Sequence, residues 1–251
     1  MLSRVCSVPG CDHIAYNAHK CVMHRSRESD ARIRLRENRP LTKNKNPIID
    51  LSPSQDLAYL LGVYFGDASI DKKRRCFTLL VVSKPFAEST AQSLRNIGFW
   101  SVKVKPTRRK TKAWHDIPAG DHEWYFVGAF ADSFVSWIES MTGPDKSPNE
   151  KVPEFLSTPQ FKAQFLRGMF ESEGTYSPID RGEQIIFSNT NYNLLALCKN
   201  LLEQLGFVAV SLKLTREPTL IRKAMYKTYF GRREQLRKFM EIVNPIIKNG
   251  K

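Results

Sequence analysis

The second half of this chain repeats the first, and that constrains its fold more than any other feature. Leu94, Gly98, Phe99, Val102, Lys105, Thr107 and Arg108 return 108 residues later as Leu202, Gly206, Phe207, Val210, Lys213, Thr215 and Arg216. Upstream, at an offset of 106, LLGVYFGDAS lines up with FLRGMFESEGT and sets Gly62 on Gly168 and Asp67 on Glu173. Small loop insertions produce such a drift in offset. Downstream, WYFVGAFADSFVSWI resembles TYFGRREQLRKFM, a strand running into a helix with apolar residues at helical spacing. Each half therefore reads helix, two strands, helix, two strands, helix. The strand pairs expected are 68–72 with 76–83 and 101–108 with 122–128, then 174–178 with 184–188 and 208–215 with 222–230. The fold class is α+β, two pseudo-symmetric αββαββα repeats. The expected division is a Cys/His-rich segment at 1–25, a basic linker at 26–51, a first repeat at 52–142, an inter-repeat linker at 143–158 and a second repeat at 159–251.

Composition narrows the partner. Lys and Arg total 39 against 25 Asp and Glu, a net charge of +14, which favours a polyanion such as DNA, RNA or an anionic membrane. No apolar run approaches the roughly 18 residues that span a bilayer, and the opening MLSRVCSVPGC lacks the apolar stretch of a secretory signal. Membrane association is the least supported of the three. Five cysteines, with Cys6, Cys11 and Cys21 crowded at the start, suit a reducing intracellular compartment (cytoplasm, nucleoid or organelle) better than a disulfide framework.

The two aligned helices, DLAYLLGVYFGD and QFKAQFLRGMFESE, carry small residues four apart: Gly62 with Gly66, and Gly168 with Ser172. Residues at i and i+4 share a helix face, so each helix presents a stripe where another backbone can approach closely. Glycine inside a helix costs about 1 kcal/mol relative to alanine, and close packing of the two helices is the reason that offsets it. That packing brings Asp67 and Glu173 together at one end of the pair. Two carboxylates at helix C-termini repel each other and oppose the helix dipole, so the arrangement calls for a cation. A divalent metal answers. Mg²⁺ binds through one or two carboxylates and phosphate oxygens, which makes Asp67 and Glu173, with the adjoining Gly66 and Ser172, the candidate metal site for phosphodiester hydrolysis.

YLLGVYFGDAS and FLRGMFESEGT resemble the two signature helices of LAGLIDADG homing endonucleases, and the likeness extends over roughly residues 52–248. The resemblance implies a monomer with internal pseudo-two-fold symmetry, saddle-shaped antiparallel sheets in the DNA major groove, and one catalytic acid per repeat, Asp67 and Glu173. It departs from the family pattern at Ala68, where glycine is usual, and at Glu173, where aspartate is commoner; the longer side chain could shift metal geometry and slow cleavage of one strand. Family members often add an active-site lysine, for which Lys151 and Lys248 are the candidates by position. The implied function is site-specific cleavage of double-stranded DNA. An RNA-binding intron maturase and a non-catalytic DNA-binding regulator on the same scaffold are the alternatives, and retention of both carboxylates favours the nuclease.

Basic residues recur on equivalent strands. Lys72, Lys73, Arg74 and Arg75 mark a hairpin turn, and Lys103, Lys105, Arg108, Arg109, Lys110 and Lys112 form a run without acids. The second half has Arg181, Lys213, Arg216, Arg222, Lys223 and Lys227. In VKVKPTR the charges alternate with apolar residues, so one strand face can meet phosphates and guanine edges while the other packs on helices. At the start of the chain Cys6, Cys11, Cys21 and His24 form a C-x4-C-x9-C-x2-H set suited to tetrahedral Zn²⁺, which a segment with so little core needs as a staple. The spacing resembles small zinc modules attached to phage-type HNH nucleases, and the segment is expected to serve as an accessory DNA-binding or docking element.

Overall fold

The computed structural model describes residues 48–111, 120–179 and 182–246. The Cys6, Cys11, Cys21 and His24 set lies outside the described residues, as do Lys112, Arg181 and Lys248. Everything described falls within one compact unit, Pro47–Lys251.

The first repeat runs α1 (Gln55–Phe65), β1 (Ser69–Asp71), β2 (Cys76–Val81), α2 (Lys84–Asn96), β3 (Lys105–Thr111), β4 (Gly120–Phe130) and α3 (Asp132–Ser140). A connection holding a short helix, α4 (Lys151–Phe155), leads to the second repeat: α5 (Pro159–Glu173), β5 (Gly174–Ile179), β6 (Gly182–Asn189), α6 (Tyr192–Gln204), β7 (Ser211–Arg216), β8 (Met225–Phe230) and α7 (Arg233–Ile242). The two four-stranded antiparallel sheets share one topology, β1-β2-β4-β3 and β5-β6-β8-β7. The α+β repeat architecture read from the sequence is the one observed.

Local chemistry sets the helix ends in parallel. Ser54 and Thr158 accept from the backbone N–H of Leu57 and Phe161 at the starts of α1 and α5, while Ser83 and Asn191 do the same for α2 and α6. Both α2 and α6 end on a glycine with positive φ, +115° at Gly98 and +78° at Gly206. The Phe99 and Phe207 amides then turn back to the carbonyls of Leu94 and Leu202, each at 3.0 Å. This Schellman closure is why the Leu-x3-Gly-Phe pattern appears in both halves.

The cores are aromatic. Phe77, Phe99 and Phe134 pack together in the first repeat, and Phe170, Phe187, Phe207, Phe230 and Phe239 in the second. Helices α1 and α5 run through the middle and join the two halves. A Cβ on Gly62 would lie 2.2 Å from the Phe165 carbonyl oxygen, and one on Gly168 would lie 2.3 Å from that of Tyr59, so the backbones meet where the sequence has no side chain. Beside this crossing the fully buried Glu171 accepts from Tyr59 Oη at 2.5 Å, Arg167 Nε at 3.0 Å and the Ile246 amide at 2.8 Å. One carboxylate thus ties α1, α5 and the segment after α7 together.

Candidate functional site at the paired helix ends

Asp67 and Glu173 emerge at the same end of the helix pair. The cap residue of α1, Gly66, is so close to α5 that a Cβ there would sit 2.2 Å from Ser172 Cβ and 3.5 Å from Glu173 Cγ. Asp67 is exposed, whereas Glu173 is partly buried. Burial first, and the Asp67 charge second, push the Glu173 carboxyl up to about 7. Asn189, at the end of β6, donates from Nδ2 to Glu173 Oε1 at 2.9 Å while its own Oδ1 accepts the Asn191 amide. The second contact fixes the amide's orientation, so its N–H group faces the acid.

The chain itself also supplies a positive charge near these acids. Lys146, in the turn Pro144–Lys146 between the repeats, donates from Nζ to the carbonyls of Gly66 at 2.9 Å and Ala68 at 2.7 Å, and its ammonium lies 4.9 Å from the centre of the Tyr64 ring. Burial holds the amine down to about 8, against the opposing pull of Glu173 and Asp67. Asp145 and Lys146 both adopt positive φ, +53° and +58°, conformations that cost roughly 1–3 kcal/mol each and persist only where the surroundings enforce them. Here Asn191 holds the loop by donating to Ser147 Oγ and to the Asp145 carbonyl. Lys146 thus offsets part of the repulsion between the two acids.

Sequence reasoning missed Lys146 and Asn189. Asn189 closes β6 beyond the strand expected at 184–188, and Lys146 lies in GPDKSP, which reads only as a turn. Lys151, the described lysine candidate, is exposed at the first turn of α4, with its amide bonded to Asn149.

Two carboxylates side by side are hard oxygen donors suited to Mg²⁺ completed by substrate phosphate. Asp67 and Glu173 fit such an ion. Of the adjoining candidates, Gly66 presents a carbonyl already occupied by Lys146, and Ser172 turns its hydroxyl back to the Gly168 carbonyl. Among the described residues no group of three or more His, Cys, Asp or Glu side chains could hold a metal by itself.

Register sorts the basic residues. In β3, Lys105, Thr107 and Arg109 stand opposite Phe126, Trp124 and His122, on the face shared with Thr78 and Leu80 and directed away from the buried Phe77, Leu79 and Val127. Arg108 stands opposite Glu123 on the other face of the pleat, and Lys110 pairs with Asp121. Lys103 precedes the ladder and lines a groove with Glu88, Gln92 and Arg95 of α2. The pleat thus divides the basic residues of β3 between its two faces. In the second sheet Lys213 pairs with Lys227, and the Lys213 ammonium lies over the Tyr229 ring, lowering the Tyr229 hydroxyl pKa. Arg216 pairs with Met225 across a bulge, and Arg222 and Lys223 follow in the connecting turn.

At the β1–β2 turn, Lys73 is exposed and Arg74 leans on Asp71. Arg75 departs from the DNA-facing expectation: its guanidinium bonds Asp132, Glu139 and Ser136 of α3. A positive φ at Arg75 and those acceptors hold it against the helix, and Lys72 reaches Glu139 as well.

Comparison with known proteins gives a family match over the second repeat. Residues 160–244 match a LAGLIDADG-like domain. This LAGLIDADG-like segment begins in α5 and runs just past α7. Uncharacterized protein MJ0398 of Methanocaldococcus jannaschii is 32% identical over 166 residues, 64% of this chain and 53% of that protein. A second protein of that organism, MJ0314, is 28% identical over 164 residues, 63% of this chain and 57% of its own length. The chain spans about half the length of these curated relatives. Among solved structures, full-length DUF199/WhiA from Thermatoga maritima superposes with a TM-score of 0.53 at 16% identity, covering 78% of this chain and 57% of that one. The homing endonuclease I-WcaI, bound to its DNA recognition sequence, gives 0.52 at 13% identity, covering 78% and 82%. At these identities the shared property is the LAGLIDADG fold. No described helix is long and apolar enough to cross a membrane.

Proposed function

We propose that the protein is a monomeric, sequence-specific endonuclease that binds double-stranded DNA and hydrolyses both strands with Mg²⁺. The observation that carries this reading is the seating of one carboxylate from each repeat, Asp67 and Glu173, at the same end of the glycine-lined helix pair. Held by those two carboxylates and phosphate oxygens, the metal would supply an activated water and neutralise charge at the scissile phosphate. The chain's own groups do the rest. Asn189 fixes the Glu173 carboxylate, and Lys146 moderates repulsion between the acids while holding the Gly66 and Ala68 carbonyls in place. The outward sheet residues Lys105, Arg109, Lys213 and Lys227 take phosphates or base edges.

The test is incubation of the full chain with a randomised duplex library and Mg²⁺, followed by sequencing of the new ends. Discrete double-strand ends, lost in an Asp67→Asn, Glu173→Gln double variant that still binds DNA, support the reading; a double variant that cuts normally overturns the assignment of the acids. A second reading is a DNA-binding regulator that does not cut. The lysine between the repeats favours it, since Lys146 already supplies the charge and occupies the Gly66 carbonyl that a metal could use. Selected binding without any new ends would establish that alternative.

A further inference from the structure

The connection between β7 and β8 ends in a tight turn with an unusual composition. The Thr219 amide donates to the Arg222 carbonyl at 2.8 Å, and the Arg222 amide donates back to the Thr219 carbonyl and hydroxyl at 3.4 and 3.2 Å. The two residues this closure pushes outward are Leu220 and Ile221, 107% and 88% exposed. Neither touches the core, so stability does not explain two large aliphatic side chains at a loop tip, where polar residues are the rule. Near them in the chain are Arg216, Arg222 and Lys223, with Glu217 the sole acid in 211–227. Arg216 also donates to the Lys223 carbonyl, which braces the base of the loop.

An apolar pair flanked in the chain by cations is poorly matched to the core of a protein interface, where charge is depleted. It does match a duplex: cations meet the phosphates, and aliphatic carbons meet the thymine C5-methyl group, the apolar feature that the major groove displays. We propose that Leu220 and Ile221 form an apolar reading tip that contacts thymine methyl groups at the end of the DNA footprint, with Arg222 and Lys223 anchoring the flanking phosphates. This rests on the DNA-binding reading above and extends it to a specificity element outside the acid pair.

The experiment uses the full chain and a duplex enriched by binding from a randomised library. Each thymidine in that duplex is replaced in turn by deoxyuridine, which keeps the base-pairing groups and lacks only the methyl. One or two positions near one end should weaken wild-type binding about tenfold, and a Leu220→Ser, Ile221→Ser variant should bind the unmodified duplex about tenfold more weakly while ignoring deoxyuridine at those positions. Both side chains are exposed, so the variant should melt with the wild type. The slope of log affinity against log salt should be unchanged in it, but should fall by almost two in an Arg222→Ala, Lys223→Ala variant. Wild-type affinity in the serine variant, or a wild type indifferent to every methyl, overturns the tip while leaving DNA binding intact. Concentration-dependent dimerisation abolished by the serine pair would assign the tip to a second copy and overturn it too. Failure to enrich any duplex would remove the DNA reading itself.

Discussion

Glu173 is the side chain whose surroundings make the sharpest measurable demand. Its carboxyl is raised from 4.5 to about 7, so the folded state favours the protonated form. The sign follows: its contribution to stability is greatest below pH 4.5 and declines as pH rises through about 7. Glu173→Gln should flatten that part of the pH–stability profile, and urea unfolding at pH 5 and pH 8 would reveal it. Carboxyl NMR titration resolves the causes. Asp67→Asn should lower the Glu173 pKa by removing a neighbouring negative charge, whereas Lys146→Met and Asn189→Ala should each raise it. A pKa that ignores Lys146 would dissociate the lysine from the acid pair. Arg75 is a contrast at the same scale. Its partners lie on α3, so Arg75→Ala should lower the melting temperature and leave the salt slope of DNA binding intact, while Lys213→Ala with Lys227→Ala should reduce that slope by almost two.

Among the elements, the crossing of α1 and α5 sets two opposing effects against each other. Replacing Gly62 or Gly168 with alanine gains about 1 kcal/mol of helix propensity. It also drives a Cβ to within 2.2–2.3 Å of a backbone carbonyl oxygen, and backbone cannot rotate aside as a side chain can. Overpacking typically costs about 1–3 kcal/mol and occasionally more, and this contact belongs at the upper end. Either variant should lose about 2 kcal/mol net in chemical denaturation; a gain would show that the helices do not touch there. The glycines ending α2 and α6 differ in a checkable way. An alanine Cβ at Gly206 meets only Lys238 Nζ, the far end of a long side chain, whereas at Gly98 it meets the Ile48 carbonyl at 2.4 Å. Gly98→Ala should therefore be the more destabilising of the two, beyond the cost of positive φ they share.

Across the whole molecule, Glu171 is the buried junction between the halves. Removing one partner of a buried ion pair costs about 3–5 kcal/mol because the remaining groups are left uncompensated. Glu171→Ala should approach that loss and strand Arg167 and the Tyr59 hydroxyl together. The sequence by itself determined the repeat, the succession of helices and strands along each half, the glycine stripes and the two terminal acids. All of these rest on local periodicity, turn chemistry and side-chain volume, which a linear reading can follow. It did not disclose which lysine joins the acids, that Asn189 orients Glu173, or that Arg75 turns toward α3 while Arg108 takes the opposite pleat face from Arg109. Those outcomes depend on packing between segments far apart in the chain and on register, where a shift of one residue exchanges the two faces of a sheet. Lys146 shows the difference most directly. It sits in an aperiodic turn some eighty residues from the carbonyls it binds, and only the closed tertiary structure brings the two together.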